Sequence, residues 1–200
     1  MRRPPTTTIQ ALLVLLPSLV AWSPANPIVL LQPESRLWVS GTSTVRSFDC
    51  KATAFSGAIE GVASGTAAAV LAGEKAVRDA SIEVPAAKLE CGNRTMNEHM
   101  LKALKIKDHP TIRFRLTSYQ TSRAADAVTG DITGVLTLGG VEKTITFKGT
   151  ATDAGAGQFR VIGVHELRMT EYGIKPPTLM LGTMKVGDVV KVNFDLVLKG

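Results

Sequence analysis

Residues 131–148 read DITGVLTLGGVEKTITFK, two alternating runs separated by a pair of glycines. In the first run, Ile132, Leu136 and Leu138 fall on one face of an extended chain, because successive side chains of a strand point to opposite sides. The second run repeats the alternation through Phe147. Adjacent glycines between two such runs are typical of the tight turn of a β-hairpin. The stretch therefore predicts two antiparallel strands that share an apolar face.

The same alternation recurs on both sides of this hairpin. Upstream it passes through Ile82 and Val84, and again through Phe114, while the longest downstream run passes through Phe194. Three further strands are predicted at residues 36–47, 52–70 and 159–166. About eight strands with one apolar and one polar face predict an all-β protein, folded as an antiparallel barrel or a sandwich. A closed barrel would leave no exposed sheet edge.

One segment, residues 93–105, has helical instead of alternating periodicity. Its apolar residues recur on one face, and Thr95 and Glu98 have the spacing of a capping box. Pro110 ends the helical region, since the residue before a proline disfavours helix. The sequence predicts one short α-helix in a mostly β domain that spans residues 26–200, without an internal linker or repeat.

The first 25 residues have the layout of a secretory signal peptide. Arg2 and Arg3 give a positive start, an apolar stretch follows over residues 11–22, and small residues lead to Ala25. The apolar stretch is shorter than the roughly 20 residues that span a bilayer. We therefore expect cleavage after Ala25 and a periplasmic or secreted protein, with an uncleaved anchor as the alternative.

The charge pattern argues against a nucleic-acid partner. The whole chain carries a formal charge of +6, and Arg2 and Arg3 lie in the predicted signal peptide, which leaves +4. The remaining basic residues are interspersed with acidic ones and form no continuous basic stripe.

Signals of an enzyme are weak. None of the histidines, His99, His109 and His165, lies in a motif with a nucleophile or a second metal ligand. No phosphate-binding loop, dinucleotide fingerprint or nucleophile elbow is present. The sequence predicts a protein that is not an enzyme and needs no cofactor or metal.

Both cysteines, Cys50 and Cys91, lie in the predicted mature chain. An even number of cysteines in an exported protein favours a disulfide, and two buried free thiols are the alternative. We predict a structural Cys50–Cys91 bond that joins the end of the first predicted strand to the start of the helix.

The interior of the barrel is the candidate binding site. An eight-stranded barrel is close to the size at which its interior is either filled by side chains or open to one ligand. The strand positions predicted to point inward are Ile82, Val84, Phe114, Leu136, Leu138, Phe147 and Phe194. In the loop over residues 172–188, Leu179, Met180 and Met184 are predicted at the mouth, because methionine adapts to flexible apolar partners. A loop that only plugs the barrel is the alternative.

Five segments resemble a known family. They are residues 77–85, residues 96–104, residues 109–114, the hairpin at 133–143, and residues 172–174 with 186–190. Together they resemble the YceI-like, polyisoprenoid-binding family of exported bacterial lipid binders, over roughly residues 35–198. The hairpin is the most specific of the five.

The resemblance implies an extended, lipocalin-like barrel with a long lumen. It also implies an exported carrier of a polyisoprenoid or another long-chain amphiphile, without stable membrane insertion. A ligand-free stress or interaction protein with a filled barrel is the alternative function. An outer-membrane barrel is disfavoured, because aromatic residues make up only 5% of the chain. Whether the protein is a monomer or a homodimer stays open.

Overall fold

The computed structural model describes residues 27–62, 64–124, 127–179 and 183–200. The strands are β1 (Ile28–Leu31), β2 (Arg36–Ser43), β3 (Ser47–Ala52), β4 (Ser56–Gly61), β5 (Val77–Pro85), β6 (Leu89–Glu90), β7 (Thr111–Ala124), β8 (Ala127–Leu138), β9 (Val141–Gly155), β10 (Gln158–Arg168), β11 (Thr178–Leu179) and β12 (Met184–Lys199). The helices are α1 (Thr66–Leu71) and α2 (Arg94–Ala103). The predicted signal peptide lies outside the described residues.

The strands close into an eight-stranded antiparallel barrel, as predicted. Some of the eight positions in the barrel are filled by two short strands that lie end to end. β1 and β2 both pair with β12, since Leu30 lies opposite Lys199 and Arg36 lies opposite Asp195. β3 and β4 follow β2 and β1 in the same way, and β5 and β6 pair with β4 and β3. From β5 the order continues through β7, β8, β9, β10 and β12, and the contact of β12 with β1 closes the barrel.

The hairpin predicted over residues 131–148 is confirmed as β8 and β9. Leu138 pairs with Val141 across the turn, and Gly139 and Gly140 have φ values of 58° and 82°. Positive φ at both central residues is the requirement of the tight turn that matches strand twist, which glycine meets without strain. The turn sets a continuous register from Val128 at one end of β8 to Leu138 at the other.

Two predicted strands are wrong in their bounds. Residues 36–47 contain β2, a turn and the start of β3, because the alternation continued across a short hairpin. Residues 52–70 contain β4 and then most of α1, which was not predicted. Glycines obscured the change of periodicity there, while alanine is a strong helix former and Ala67 is 4% exposed against the barrel end.

The predicted helix is present as α2, but its predicted cap is wrong. Asn93 is the N-cap residue, and its side-chain oxygen accepts a hydrogen bond from the Met96 backbone amide at 3.2 Å. Thr95 and Glu98 therefore form no capping box, and Glu98 instead pairs with Arg94 at 2.9 Å. Asparagine two residues earlier is the cap instead and satisfies a free amide of the first turn.

Apolar side chains pack into a cluster at each end of the barrel. The α1-end cluster contains Val29, Ile59, Ala67, Phe159 and Leu198. The α2-end cluster contains Leu136, Leu138, Leu167, Tyr172, Ile174 and Val190, with Ala103 and Leu104 of the helical region packed against it. These clusters cover the two ends of the barrel interior, and the space between them is the cavity.

Candidate functional site

The barrel encloses a cavity of about 820 Å³. Its lining extends from Phe159 and Leu198 in the α1-end cluster to Leu138 and Leu167 in the α2-end cluster. The lining side chains are mostly aliphatic and aromatic. The volume lies within the roughly 300–1,000 Å³ of typical small-molecule sites. A cavity of this size does not fit the alternative of a barrel filled by its own side chains.

The predicted inward positions line this cavity. They are Ile82, Val84, Phe114, Leu136, Leu138, Phe147 and Phe194, and the loop residue Met184 also lines it. Leu179 lies in β11, where its backbone pairs with Met184. Met180 lies outside the described residues. That these residues bind a ligand stays a prediction.

At two glycines the barrel wall has no inward-pointing side chain, and phenylalanine rings from neighbouring strands lie against it there. A Cβ atom at Gly134 in β8 would overlap the ring of Phe114 on the neighbouring strand. A Cβ atom at Gly163 in β10 would overlap the ring of Phe194 on β12 in the same way. Each ring therefore occupies space above a residue without a side chain. The lumen stays wider than it would be if these rings projected across it.

Aromatic rings gather around Phe147 on β9. The ring centroids of Phe114 and Phe194 lie 5.5 Å and 5.3 Å from that of Phe147. The ring of His165 on β10 lies 5.9 Å from it, in a tilted arrangement. All four side chains line the cavity and are only partly buried, because one side of each borders the lumen. We call Phe114, Phe147, His165 and Phe194 the aromatic wall.

Several polar side chains of the lining have partners within the protein. The Tyr119 hydroxyl accepts a hydrogen bond from the Val77 amide at 2.9 Å, and burial raises the pKa of Tyr119. Thr121 donates to the Gly73 carbonyl at 2.7 Å. Burial lowers the pKa of His165, and the neighbouring Glu166 carboxylate opposes this effect. His165 is therefore mostly neutral at pH 7.

The lining reaches the surface beside α2. Exposed residues of the lining there are Arg46, on the turn between β2 and β3, and Thr95 on α2. The start of β12 adjoins the same turn, since the Thr44 amide donates to the Lys185 carbonyl at 2.9 Å. We call this opening, between the β2–β3 turn, α2 and the start of β12, the α2 mouth. Met184 is the first residue of β12 and lines the cavity beside this mouth.

A disulfide braces the α2 mouth. Cys50 and Cys91 are joined, with a sulfur–sulfur distance of 1.99 Å and their Cα atoms 3.9 Å apart. The predicted bond is therefore present, but Cys50 lies within β3 and not at the end of the first strand. Cys91 follows β6, which pairs with β3, and comes shortly before the Asn93 cap of α2. The bond thus fixes α2 to the barrel wall.

Fold and cavity define the class: a closed eight-stranded antiparallel barrel with an apolar lumen that can hold one elongated apolar molecule. The family comparison agrees with this class. The model of the YceI-like domain matches residues 36–198, and the chain belongs to this family.

Solved structures share the fold at low sequence identity. Burkholderia cenocepacia BcnA matches with a TM-score of 0.64 at 18% identity, covering 82% of this chain and 96% of its own. A polyisoprenoid binding domain from Saccharophagus degradans, implicated in plant cell wall breakdown, matches with a TM-score of 0.64 at 13% identity, covering 86% and 98%. A YceI protein of Campylobacter jejuni matches with a TM-score of 0.57 at 16% identity, covering 72% and 80%. No curated protein sequence matches the chain.

Within the described ranges, no group of three or more histidine, cysteine, aspartate or glutamate side chains could hold a metal ion. Helices long and apolar enough to cross a membrane are likewise missing from the described part of the chain.

Sequence reasoning missed the histidine of the lumen and the role of the glycines. In the predicted strand at residues 159–166, His165 falls on the same face as Phe159 and Val161, so its side chain could have been predicted to point inward. All three residues line the cavity. The role of Gly134 and Gly163 could not be predicted from the local sequence, because it depends on a phenylalanine ring of a neighbouring strand.

Proposed function

We propose that this protein is an exported carrier that holds a polyisoprenoid or another long-chain amphiphile in its barrel lumen, without catalysing a reaction. The observation that carries the proposal is the 820 Å³ cavity, with an apolar lining that extends between the two end clusters. The name of the Saccharophagus degradans domain as polyisoprenoid binding supports the same ligand class.

Burial of the chain supplies enough free energy for useful affinity. Each buried CH₂ group contributes about 0.8 kcal/mol, so ten groups contribute about 8 kcal/mol before the cost of association. A micromolar dissociation constant corresponds to about 8 kcal/mol, and a longer chain would cover the association cost. No charged group is needed to hold the chain.

Export is part of the proposal. The basic, apolar and small-residue segments within residues 1–25 support it, and so does the Cys50–Cys91 disulfide. Disulfides form and persist in oxidising compartments such as the periplasm. Recovery of the mature protein from the periplasm or the medium, beginning near Asn26, tests this part. Retention of the whole chain in the cytoplasm would contradict it.

Two neighbouring substitutions on β10 test the lumen as the binding site. Val161 lines the cavity, whereas Ile162 faces outward and is 46% exposed. Val161→Trp should therefore obstruct the lumen, and Ile162→Trp is the matched control with the same added volume. Binding is measured by displacement of a fluorescent apolar dye with a long-chain isoprenoid alcohol. We expect at least tenfold weaker binding in Val161→Trp and unchanged binding in Ile162→Trp. Equal effects of both substitutions, in folded proteins, would contradict lumen binding.

A further inference from the structure

The aromatic wall contains one polar ring, that of His165. It lies on β10 between Phe159 of the α1-end cluster and Leu167 of the α2-end cluster. Leu167 lies two positions further along the strand, or roughly 7 Å away. Its flanking residues Val164 and Glu166 are exposed, so the histidine side chain points inward.

His165 has no hydrogen-bond partner among the described residues. Its neighbours across the lumen wall are the ring of Phe147 and the apolar side chains of Val192 and Phe194. Tyr119 and Thr121, by contrast, are satisfied by backbone groups. A neutral imidazole offers one donor and one acceptor, and leaving them unused in an apolar site is unfavourable.

The lumen is also poor in charge. In the described part of the chain, Arg46 and Glu74 are the charged residues of the lining other than histidine, and both are exposed at the ends. A phosphate or carboxylate beside His165 would be a buried charge, and the described lining offers no cation there except a protonated imidazole, which burial disfavours. An uncharged group that can donate and accept hydrogen bonds has no such cost.

From these contacts we infer that His165 selects a ligand whose apolar chain ends in an uncharged hydrogen-bonding group, such as a hydroxyl, and that this group is held inside the lumen. This inference rests on the proposed function. The chain would extend from His165 toward Phe159, six residues or roughly 20 Å away along β10. The polar group would then lie nearer the α2 mouth than the rest of the ligand.

The test compares two probes that differ in one group, dodecan-1-ol and tridecane, where a methyl replaces the hydroxyl. His165→Phe keeps an aromatic ring beside Phe147 and removes both hydrogen-bonding atoms. We expect it to weaken binding of dodecan-1-ol roughly 3- to 10-fold and to leave tridecane unchanged or bound more tightly. His165→Gln, which keeps a donor and an acceptor, should recover part of the loss. His109→Phe, the same change at a histidine outside the cavity lining, is the matched control and should affect neither probe.

A measurement on the unaltered protein makes the test independent of variant folding. Dodecan-1-ol should shift the imidazole nitrogen resonances of His165, and tridecane should not. Equal weakening of both probes by His165→Phe, or a histidine spectrum that does not distinguish them, would overturn the inference and leave lumen binding intact. If neither probe binds, the proposed function fails and the inference falls with it. Tighter binding of dodecyl phosphate than of the alcohol would also overturn it, whether or not His165→Phe weakens that binding.

Discussion

The ends of the barrel are densely packed, whereas its middle is not. Phe159 and Val29 in the α1-end cluster are 2% and 1% exposed, and Leu167 in the α2-end cluster is 4% exposed. Phe147 and Phe194, which point inward midway along the barrel, are only partly buried. All five are apolar and face the interior, so the difference lies in how completely other side chains cover them: almost fully at the ends, where Phe159 and Leu167 close the lumen, and only in part in the middle.

The comparison separates stability from binding along a single strand. On β10, Phe159 and Leu167 are buried members of the end clusters, while the partly buried Val161 and His165 border the lumen between them, Val161 at the edge of the α1-end cluster. Side chains in packed clusters contribute most to stability, because their removal leaves a cavity. Side chains along the lumen already border one, so their substitution should alter affinity more than stability.

The largest expected effect is from truncation of an end-cluster phenylalanine. Phe159→Ala should lower the free energy of unfolding by about 4 kcal/mol, through lost burial and a new cavity. Phe147→Ala, the matched change in the aromatic wall, should cost less than half of this and weaken ligand binding. Urea denaturation without ligand measures both. Equal losses of stability would remove the distinction between ends and middle.

Loss of the disulfide should come next. The bond closes a loop with a sequence separation of 41. Replacing Cys50 and Cys91 together by alanine should lower the free energy of unfolding by about 2–4 kcal/mol. Reduction of the unaltered protein by dithiothreitol is the control and should give a similar loss. A double variant as stable as the oxidised protein would show that packing alone holds α2 to β3.

A smaller effect is expected where a glycine accommodates a ring near the α2 mouth. Gly41 on β2 is opposite Phe48 on β3, and the three atoms nearest to a Cβ at Gly41 would all belong to the Phe48 ring. Gly41→Ala should cost about 1–3 kcal/mol and push this ring into the lumen. Adding Phe48→Leu should relieve the overlap and restore part of the stability and affinity. If Phe48→Leu lowers the stability of the Gly41→Ala variant further, this contact is not the cause of the loss.

The smallest effect concerns pH. Burial lowers the pKa of His165 in the folded protein below about 6.5, its ordinary value in an unfolded chain. As pH falls below 6.5, the unfolded chain takes up a proton that the folded protein resists, so stability decreases until the folded pKa is passed. Above pH 6.5 this penalty is absent. The melting temperature should therefore fall slightly more between pH 7.5 and pH 5 in the unaltered protein than in His165→Phe. The reverse order would mean that the lumen tolerates a charged imidazole.

Sequence periodicity predicted the barrel where one strand follows another through a clear turn. Leu138, Gly139 and Val141 fixed the β8–β9 hairpin, because a period of two and a glycine turn are both local properties. The strand predicted over residues 52–70 was wrong, because α1 is stabilised by burial of Thr66 and Ala67 against distant strands, which a local pattern does not show. Contacts between strands were also beyond local patterns: Phe114 was predicted to face inward, but its position over Gly134 depends on register.

The most direct test of the central claim is to locate a bound chain by nuclear Overhauser effects between unlabelled dodecan-1-ol and isotope-labelled protein. A ligand held in the lumen should give contacts to the methyl groups of Val161 and Ile132, which line the cavity. It should give none to Ile162 or Val164, which are 46% and 48% exposed on the outer face of β10. Contacts confined to Ile162 and Val164 in the ligand-saturated protein would contradict a carrier that holds its ligand inside the barrel.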